Sequence, residues 1–445
     1  MAGPVARLDP WSPPLSHASP SRLTVDPSAL SASPLTPPVS KSDAQRALVL
    51  GHLTGAWPLP SVQAESDEDL PADVRVLRRG VEALRLPAGP VRDVDCADGG
   101  APFRILVTQA AVTPGARVRF TGTPRLGERP HGPLFTSLKQ ALGPSGLALT
   151  EGSPWPVELH APQDTTKAAP VFRVPGAQSS QYASSLLLGC AERLLREKRA
   201  WSVEIEGTLT SAGYMDLTVA WLRRFGFTVE QSEGHYSVTH YQAPESVPSL
   251  PGDWSSLGYL VLVAWRTGGT VERAEPGSAH PDQAILRLVA DVGLKMIPSG
   301  EPNTWRFQGE ATGELKASGK ECPDLLPTLA ALACVLPRPT TLTDVGILRV
   351  KESDRLEGIR TLVTAYGGTT ELSAGADSET LRIFPPEVKP SRFAMDSRGD
   401  HRLAMSAATL CVLSGVPLDL TGPECVEKSF PGFWRQLARA GVRYS

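Results

Sequence analysis

Apolar positions along this chain fall into helical stripes, and four of the stripes open with a short cluster of hydroxyl and basic residues. Ser40-Lys41-Ser42 leads into Ala47, Leu50 and Leu53, with Arg46 one turn beyond Ser42 on the same face. Ser179-Ser180-Gln181 leads into Leu186, Leu187, Cys190 and Leu194, and Lys351-Glu352-Ser353-Asp354-Arg355 leads into Leu356, Ile359 and Val363. Asp400-His401-Arg402 leads into Ala404, Met405 and Ala408. A second pattern recurs along the chain. Amphipathic stretches that close on glycine and then turn β-like run from Leu134 to Gly143, Trp221 to Gly226, Ile285 to Gly293, Gly358 to Gly367 and Phe433 to Gly441. Val76 to Leu86 is a sixth copy without the glycine. Their spacing, roughly 60 to 80 residues, is longer than that of solenoid repeats and predicts about six α/β units, each with a helix closed by Gly and followed by a strand. Unrelated α/β helices share this look, so the repeat alone leaves both readings open.

At 445 residues the chain exceeds what one hydrophobic core supports, which predicts two domains. Two proline-rich stretches, Ser33 to Val39 and Gln242 to Pro251, resist regular structure and suit crossings between domains. On that reading residues 39–242 form one domain, and residues 23–38 with 243–445 form the other. Residues 1–22 are rich in Pro, Ser and Ala without the apolar core of a signal peptide, and are expected to be a disordered extension. No apolar run is long enough to span a bilayer, and a cytoplasmic protein is expected.

Charge narrows the partners. A formal net charge of −3 gives no footing for nucleic acid or an anionic membrane, so a basic site must be a local concentration of Lys and Arg. The six cysteines are widely and irregularly spaced with no C-x-x-C pair, and the eight histidines show no H-E-x-x-H, so no metal is expected.

A helix N-terminus offers unpaired N–H groups and a partial positive charge, and it attracts anions. Ser, Thr or Asp there also serves as an ordinary N-cap. Lys41, Arg46, Lys351, Arg355 and Arg402 fit the cap reading poorly, because a cation at a helix start is electrostatically uphill unless an anion compensates. Asp98-Gly99-Gly100 with Arg104 adds a glycine turn where backbone can approach a ligand closely. Arg129 and Lys428 are further candidate anion ligands. There is no G-x-x-x-x-G-K-[ST] loop and no dinucleotide fingerprint, which argues against ATP or NAD. Asp324, before an apolar helix, and Glu352, between Lys351 and Arg355, are either structural partners or proton-transfer groups.

Taken in order, these clusters resemble the motif series of the 5-enolpyruvylshikimate-3-phosphate synthase family. The matching segments are P-V-S-K-S-D-A-Q-R-A-L (38–48), A-D-G-G-A-P-F-R (97–104), T-G-T-P-R-L-G-E-R-P-H-G-P-L (121–134) and Q-S-S-Q (178–181). They continue with S-A-G-Y-M-D-L-T (211–218), P-D-L-L-P-T-L-A (323–330), L-R-V-K-E-S-D-R-L (348–356), G-D-H-R-L-A-M (399–405) and K-S-F-P-G-F (428–433). The seventh and eighth are highly specific; the glycine turn is the poorest match.

The resemblance implies an α/β fold of two similar domains, each of three β-α-β-α-β-β units, joined by two crossings and closing over the substrates. The implied reaction transfers the enolpyruvyl group of phosphoenolpyruvate to the 5-hydroxyl of shikimate 3-phosphate and releases phosphate, a step toward aromatic amino acids and the target of glyphosate. Lys41, Ser42, Arg46, Ser179, Ser180, Gln181, Ser211, Tyr214, Asp324 and Lys351 would hold shikimate 3-phosphate. Lys41, Gly100, Arg129, Gln181, Arg355, Arg402 and Lys428 would hold phosphoenolpyruvate. Asp324 would be the base on the 5-hydroxyl, Glu352 the proton donor and acceptor at C3, and Lys41 an acid for the leaving phosphate. No cofactor is implied, the partners are the two small molecules, and a monomer is expected.

Charge agrees with this. Two phosphates and two carboxylates bring about six negative charges, at roughly two per phosphate. Seven cations (Lys41, Arg46, Arg129, Lys351, Arg355, Arg402 and Lys428) outnumber Asp324 and Glu352, which predicts that the empty cleft repels itself open. The chain departs from the family at Val39 (usually Gly), Asp98 (usually Asn) and Ala101 (usually Thr). An unpaired Asp98 would weaken phosphoenolpyruvate binding, so it is expected to pair with Arg104. A related transferase family acting on UDP-N-acetylglucosamine places a catalytic Cys where Pro124 stands and lacks the His of Asp400-His401-Arg402. A degenerate relative that binds phosphorylated metabolites without catalysis is the other rival reading.

Overall fold

The computed structural model describes residues 21–85, 91–143, 148–149, 156–164, 168–177, 179–375 and 378–445. Of the expected N-terminal extension, 1–22, residues 1–20 lie outside this set, as does Gln178 of the Q-S-S-Q segment. Arg22, assigned to the extension, instead begins a strand, Arg22–Asp26.

Among the described residues, five four-stranded sheets repeat one plan. In each, two parallel strands are joined through a helix, and a further pair adds antiparallel in the spatial order first, second, fourth, third. The simplest copy runs Val171–Pro175, Trp201–Glu206, His235–Tyr241, Phe227–Ser232. Two copies are interrupted in sequence. Pro34–Leu35 pairs in parallel with Thr270–Val271, so the chain lays down one strand, builds residues 39–242 elsewhere, and returns. Arg22–Asp26 completes the sheet of Phe393–Asp396, Leu418–Thr421 and Arg443–Tyr444, closing the last unit with the first described strand.

A sixth unit is incomplete. Residues 41–85 supply its two helices, but no four-stranded sheet forms around them among the described residues. The intervening residues 55–71 explain this: they carry three prolines and a run of acidic and hydroxyl residues instead of alternating β-branched positions. A short helical turn, Pro60–Gln63, stands there instead.

The helix joining the parallel strands of each unit, together with its counterpart in the incomplete one, gives six central helices. They are α1 (Lys41–Thr54), α2 (Gly100–Val112), α3 (Ser180–Glu197), α4 (Trp254–Thr267), α5 (Leu326–Ala333) and α6 (His401–Ser414). Most of their residues are buried on every side, as expected for helices wrapped by sheets rather than lying on a surface. α3 packs on α1 and α2, and α4, α5 and α6 pack on one another. Buried apolar side chains form two clusters: one from Val39 to Val238, the other from Val25 and Leu35 together with residues between Trp254 and Val442. We propose residues 39–242 as one domain and residues 23–38 with 243–445 as the other, a division these separate clusters support.

The two chain crossings lie side by side. Val39 bridges Gly252 antiparallel, Ser40 N donates to Pro251 O at 2.9 Å, and Asp253 N donates to Pro38 O at 3.0 Å. Asp253 also accepts from Lys41 N at 2.9 Å, which ties the start of α1 to this junction. Helix α1 therefore begins where the lobes meet, and its polar N-terminus opens into the space between them.

Candidate active site

The cleft between the lobes is a cavity of about 1140 Å³, part of it open to solvent. The starts of α1, α2, α3 and α6 converge on it. It is lined by Lys41, Ser42 and Arg46 of α1, Gly100 and Arg104 of α2, Ser179 to Gln181 at α3, Arg402 of α6, and by Arg129, Ser211, Tyr214, Asp324, Lys351 and Glu352. Arg355 and Lys428 reach the same place through ion pairs to Glu352 at 2.5 and 3.6 Å. The structure thus gathers in one cleft every residue singled out from the sequence as a ligand or proton-transfer group.

Each polar cluster supplies an ordinary N-cap, and the basic residues expected to meet an anion are different ones. Ser40, Ser179, Asp354 and Asp400 are side-chain N-caps of their helices. The residues that follow them carry the charge: Lys41 and Arg355 are the first residues of their helices and Arg402 the second. Lys351 stands before its helix, at the end of a 3-10 turn, Val345–Val350.

On the wall of residues 39–242, cations face neutral groups. Arg46 donates to Thr218 Oγ1, Ser42 O and Tyr214 O, each at 2.8 Å, and burial lowers its pKa to about 10. Arg104 donates to Gln181 Oε1 and Pro130 O and lies over the Tyr182 ring, fixing the Gln181 amide. Arg129 is only 8% exposed and makes no ion pair among the described residues. A buried guanidinium without an ion-pair partner in contact gains from an anion that joins it. A Cβ at Gly100 would lie 2.3 Å from Arg129 Nη1, so only glycine leaves Arg129 where it is. Ser211 adopts φ +58° with a buried hydroxyl that has no partner among the described residues, a strained placement of the kind found at ligand sites. Among the described cations that line this wall, Lys41 alone pairs with a carboxylate, Asp73, at 3.2 Å.

The facing wall is a web of opposite charges. Arg355 binds Asp400 at 2.8 Å, Asp324 at 2.9 Å and Glu352 at 2.5 Å, one carboxylate on each nitrogen. Asp324 also meets Arg402 at 3.0 Å, Lys351 at 3.7 Å and the Tyr214 hydroxyl at 3.0 Å. Burial pushes the Asp324 carboxyl up, but Arg402, Lys351 and Arg355 outweigh it and hold the group well below its usual range. Glu352 behaves likewise: burial raises it, while Arg355, Lys428 and Arg129 bring it well below the usual value. Lys351 is lowered, chiefly by burial, and Tyr214 is raised by burial, Asp282 and Asp324.

Two expectations need correction. Asp98 is paired, but with Lys428 at 2.5 Å and not with Arg104, whose donors go to Gln181 and Pro130. Nor is the cleft held apart by its cations. Tyr214 reaches Asp324 across it, Lys428 reaches Asp98, and Arg125 donates to the carbonyls of Lys351 and Glu352 at 3.2 Å. The count from sequence omitted Asp73, Asp98 and Asp400, each paired with a cleft cation; adding them and Arg104 lowers the surplus from five charges to three. Asp73 and Arg125 were missed because each looks like an ordinary residue of a helix start; their partners lie 32 and more than 220 residues away.

Among the described residues no cluster of His, Cys, Asp and Glu could hold a metal, and no helix is long and apolar enough to cross a membrane.

Two solved structures share the fold. EPSP synthase from Acinetobacter baumannii superposes with a TM-score of 0.68 at 20% identity, over 95% of this chain and 99% of that one. The enolpyruvyl transferase NikO from Streptomyces tendae gives 0.60 at 13% identity, over 96% and 99%. The architecture is therefore the two-domain α/β fold of enolpyruvyl transferases. Sequence resolves the class further. A protein of Methanopyrus kandleri named 3-phosphoshikimate 1-carboxyvinyltransferase is 31% identical over 91% of this chain and 95% of its own length. One of that name from Thiobacillus denitrificans is 32% identical over 90% and 95%. Residues 69–437 match the family described as EPSP synthase (3-phosphoshikimate 1-carboxyvinyltransferase), and the chain belongs to that family.

Proposed function

We propose that this protein transfers the enolpyruvyl group of phosphoenolpyruvate to the 5-hydroxyl of shikimate 3-phosphate, releasing phosphate. The single observation that carries the reading is a cleft in which unpaired or neutrally paired cations face two cation-ringed carboxylates. Lys41, Ser42, Arg46, Ser179, Ser180, Gln181, Ser211, Tyr214, Asp324 and Lys351 hold shikimate 3-phosphate. Lys41, Gln181, Gly100, Arg129, Arg355, Arg402 and Lys428 hold phosphoenolpyruvate.

The 5-hydroxyl oxygen bonds to C2 of phosphoenolpyruvate as Asp324 takes its proton, while Glu352 delivers a proton to C3. In the second half Glu352 recovers a proton from C3, the C2–C3 double bond returns, and phosphate leaves protonated by Lys41. A carboxyl held far below its usual pKa is a weak base. Substrate phosphates and carboxylates that engage Arg402, Lys351 and Arg355 weaken the hold of these cations on Asp324. Its pKa then rises toward what proton abstraction requires. That of Glu352 rises likewise as substrate engages Arg355, Lys428 and Arg129, so that Glu352 takes from solvent the proton it gives to C3.

A monomer and a cytoplasmic location are part of the same proposal. The test is to incubate the protein with both substrates and with each alone, following inorganic phosphate and product by phosphorus NMR. Release that requires both substrates is expected. Release from phosphoenolpyruvate alone, or none at all, refutes the assignment.

A further inference from the structure

Lys428 ends a 3-10 turn, Pro423–Lys428, on one lobe and reaches the Asp98 loop of the other. An ammonium has three N–H donors, and three oxygens surround this one. They are Asp98 Oδ2 at 2.5 Å, the Asp98 carbonyl at 3.0 Å and Glu352 Oε1 at 3.6 Å. The loop is shaped for this contact. Asp95 Oδ1 accepts from Ala97 N at 2.8 Å, Ala97 is bent to φ +48°, and Thr123 Oγ1 donates to Asp98 Oδ1 at 3.4 Å. A non-glycine residue at positive φ persists only where its surroundings impose it. Burial alone would ease the proton off Lys428, but Glu352, Asp73 and Asp98 more than reverse this. The ammonium is charged, with two of its three donors bonded to Asp98, and with Glu352 beyond hydrogen-bond reach as an ion-pair partner.

We propose that Asp98 is an internal anion that competes with phosphoenolpyruvate for Lys428, and so sets the affinity for that substrate without taking part in the chemistry. The inference rests on the proposed function, in which Lys428 is a phosphoenolpyruvate ligand. A substrate oxygen approaching Lys428 meets a cation that already gives two donors to Asp98, and the donor engaged by the Asp98 carboxylate is the one a side-chain change can release. That carboxylate either swings away or remains as a like-charge neighbour a few ångströms from the substrate. Both routes weaken binding. The Asp98 side chain is 32% exposed, so solvent screens part of the effect, and about a tenfold loss of affinity remains. The Asp98 carbonyl keeps its bond to Lys428 whatever side chain follows. A substitution therefore removes the competitor and leaves the ammonium placed.

Asp98→Asn and Asp98→Ala, compared with the unchanged protein, test this through the KM for each substrate at saturating levels of the other. In both variants the KM for phosphoenolpyruvate should fall threefold or more, while that for shikimate 3-phosphate stays within twofold. A residue that only props up the loop would instead raise both constants or neither. If either folded variant shows a smaller fall, or a rise, for phosphoenolpyruvate, the proposal is overturned; it is overturned equally if both constants move together. Failure of the functional reading looks different: the unchanged protein would release no phosphate from the substrate pair.

Discussion

The wall of the cleft built by residues 39–242 and the wall built by residues 324–428 meet the same space with their charges satisfied in different ways. On the first, Arg46 is held by a hydroxyl and two carbonyls, Arg129 has no ion-pair partner among the described residues, and serines crowd the helix starts. On the second, Asp324, Glu352 and Asp400 are threaded among Arg355, Arg402, Lys351 and Lys428. The difference separates two tasks. Cations with neutral neighbours gain from any anion that arrives and lose nothing by accepting it. A carboxylate ringed by cations changes its proton affinity whenever those cations change partners, which is what a proton-transfer group needs. We propose that the first wall chiefly binds and the second chiefly performs the chemistry.

The comparison breaks most visibly at Glu352. Glu352→Gln keeps the shape and removes the titratable group, so kcat should fall by about 10²- to 10⁴-fold with modest change in substrate affinity. Exchange of solvent deuterium into C3 of phosphoenolpyruvate should fall with it, and mass spectrometry of recovered substrate reads this directly. On the binding wall, Ser179→Ala with Ser180→Ala removes two hydroxyls from a charged ligand. At about 1.5 kcal/mol or more each, the pair should weaken shikimate 3-phosphate by at least tenfold, seen by calorimetry, with kcat little altered. Gly100→Ala acts more gently, because its methyl group displaces the flexible end of Arg129 and not backbone. The KM for phosphoenolpyruvate should rise about three- to tenfold, while shikimate 3-phosphate binding holds.

The smallest effect concerns stability. Asp324 and Glu352 titrate in the folded protein below their ordinary values of 3.8 and 4.5. Each therefore contributes stability that is fully present above those values and is lost as pH falls through the lower folded-state values. Thermal denaturation should be nearly flat from pH 7 to about 5 on account of these two groups, then decline below about pH 4. Asp324→Asn combined with Glu352→Gln should blunt that acid decline; an unchanged slope would mean the web adds nothing net.

Much of this was legible in the sequence because the chemistry is local. Basic residues placed at the starts of apolar helices are visible in any one segment, and Lys41, Arg355 and Arg402 stand at such starts. The helix-then-glycine periodicity likewise reflected a real repeat of one supersecondary unit. What stayed hidden was non-local. The Lys428 contact with Asp98 spans 330 residues, and no short segment shows it. The circular completion of the last sheet by Arg22–Asp26 was equally invisible, because strand order depends on which distant edges meet. In the incomplete sixth unit the two helices are present, but the residues between them lack a strand pattern, and no four-stranded sheet forms there among the described residues.

The division between the walls is tested most directly at Asp324, where the two tasks touch. With Asp324→Ala, phosphate release in a single turnover should be measured at saturating substrates, alongside the dissociation constant of shikimate 3-phosphate. Release should slow by at least a hundredfold while the constant changes by less than about tenfold. Release at an ordinary rate with binding weakened instead would contradict the division, placing Asp324 among the binding groups and leaving the facing wall without its base.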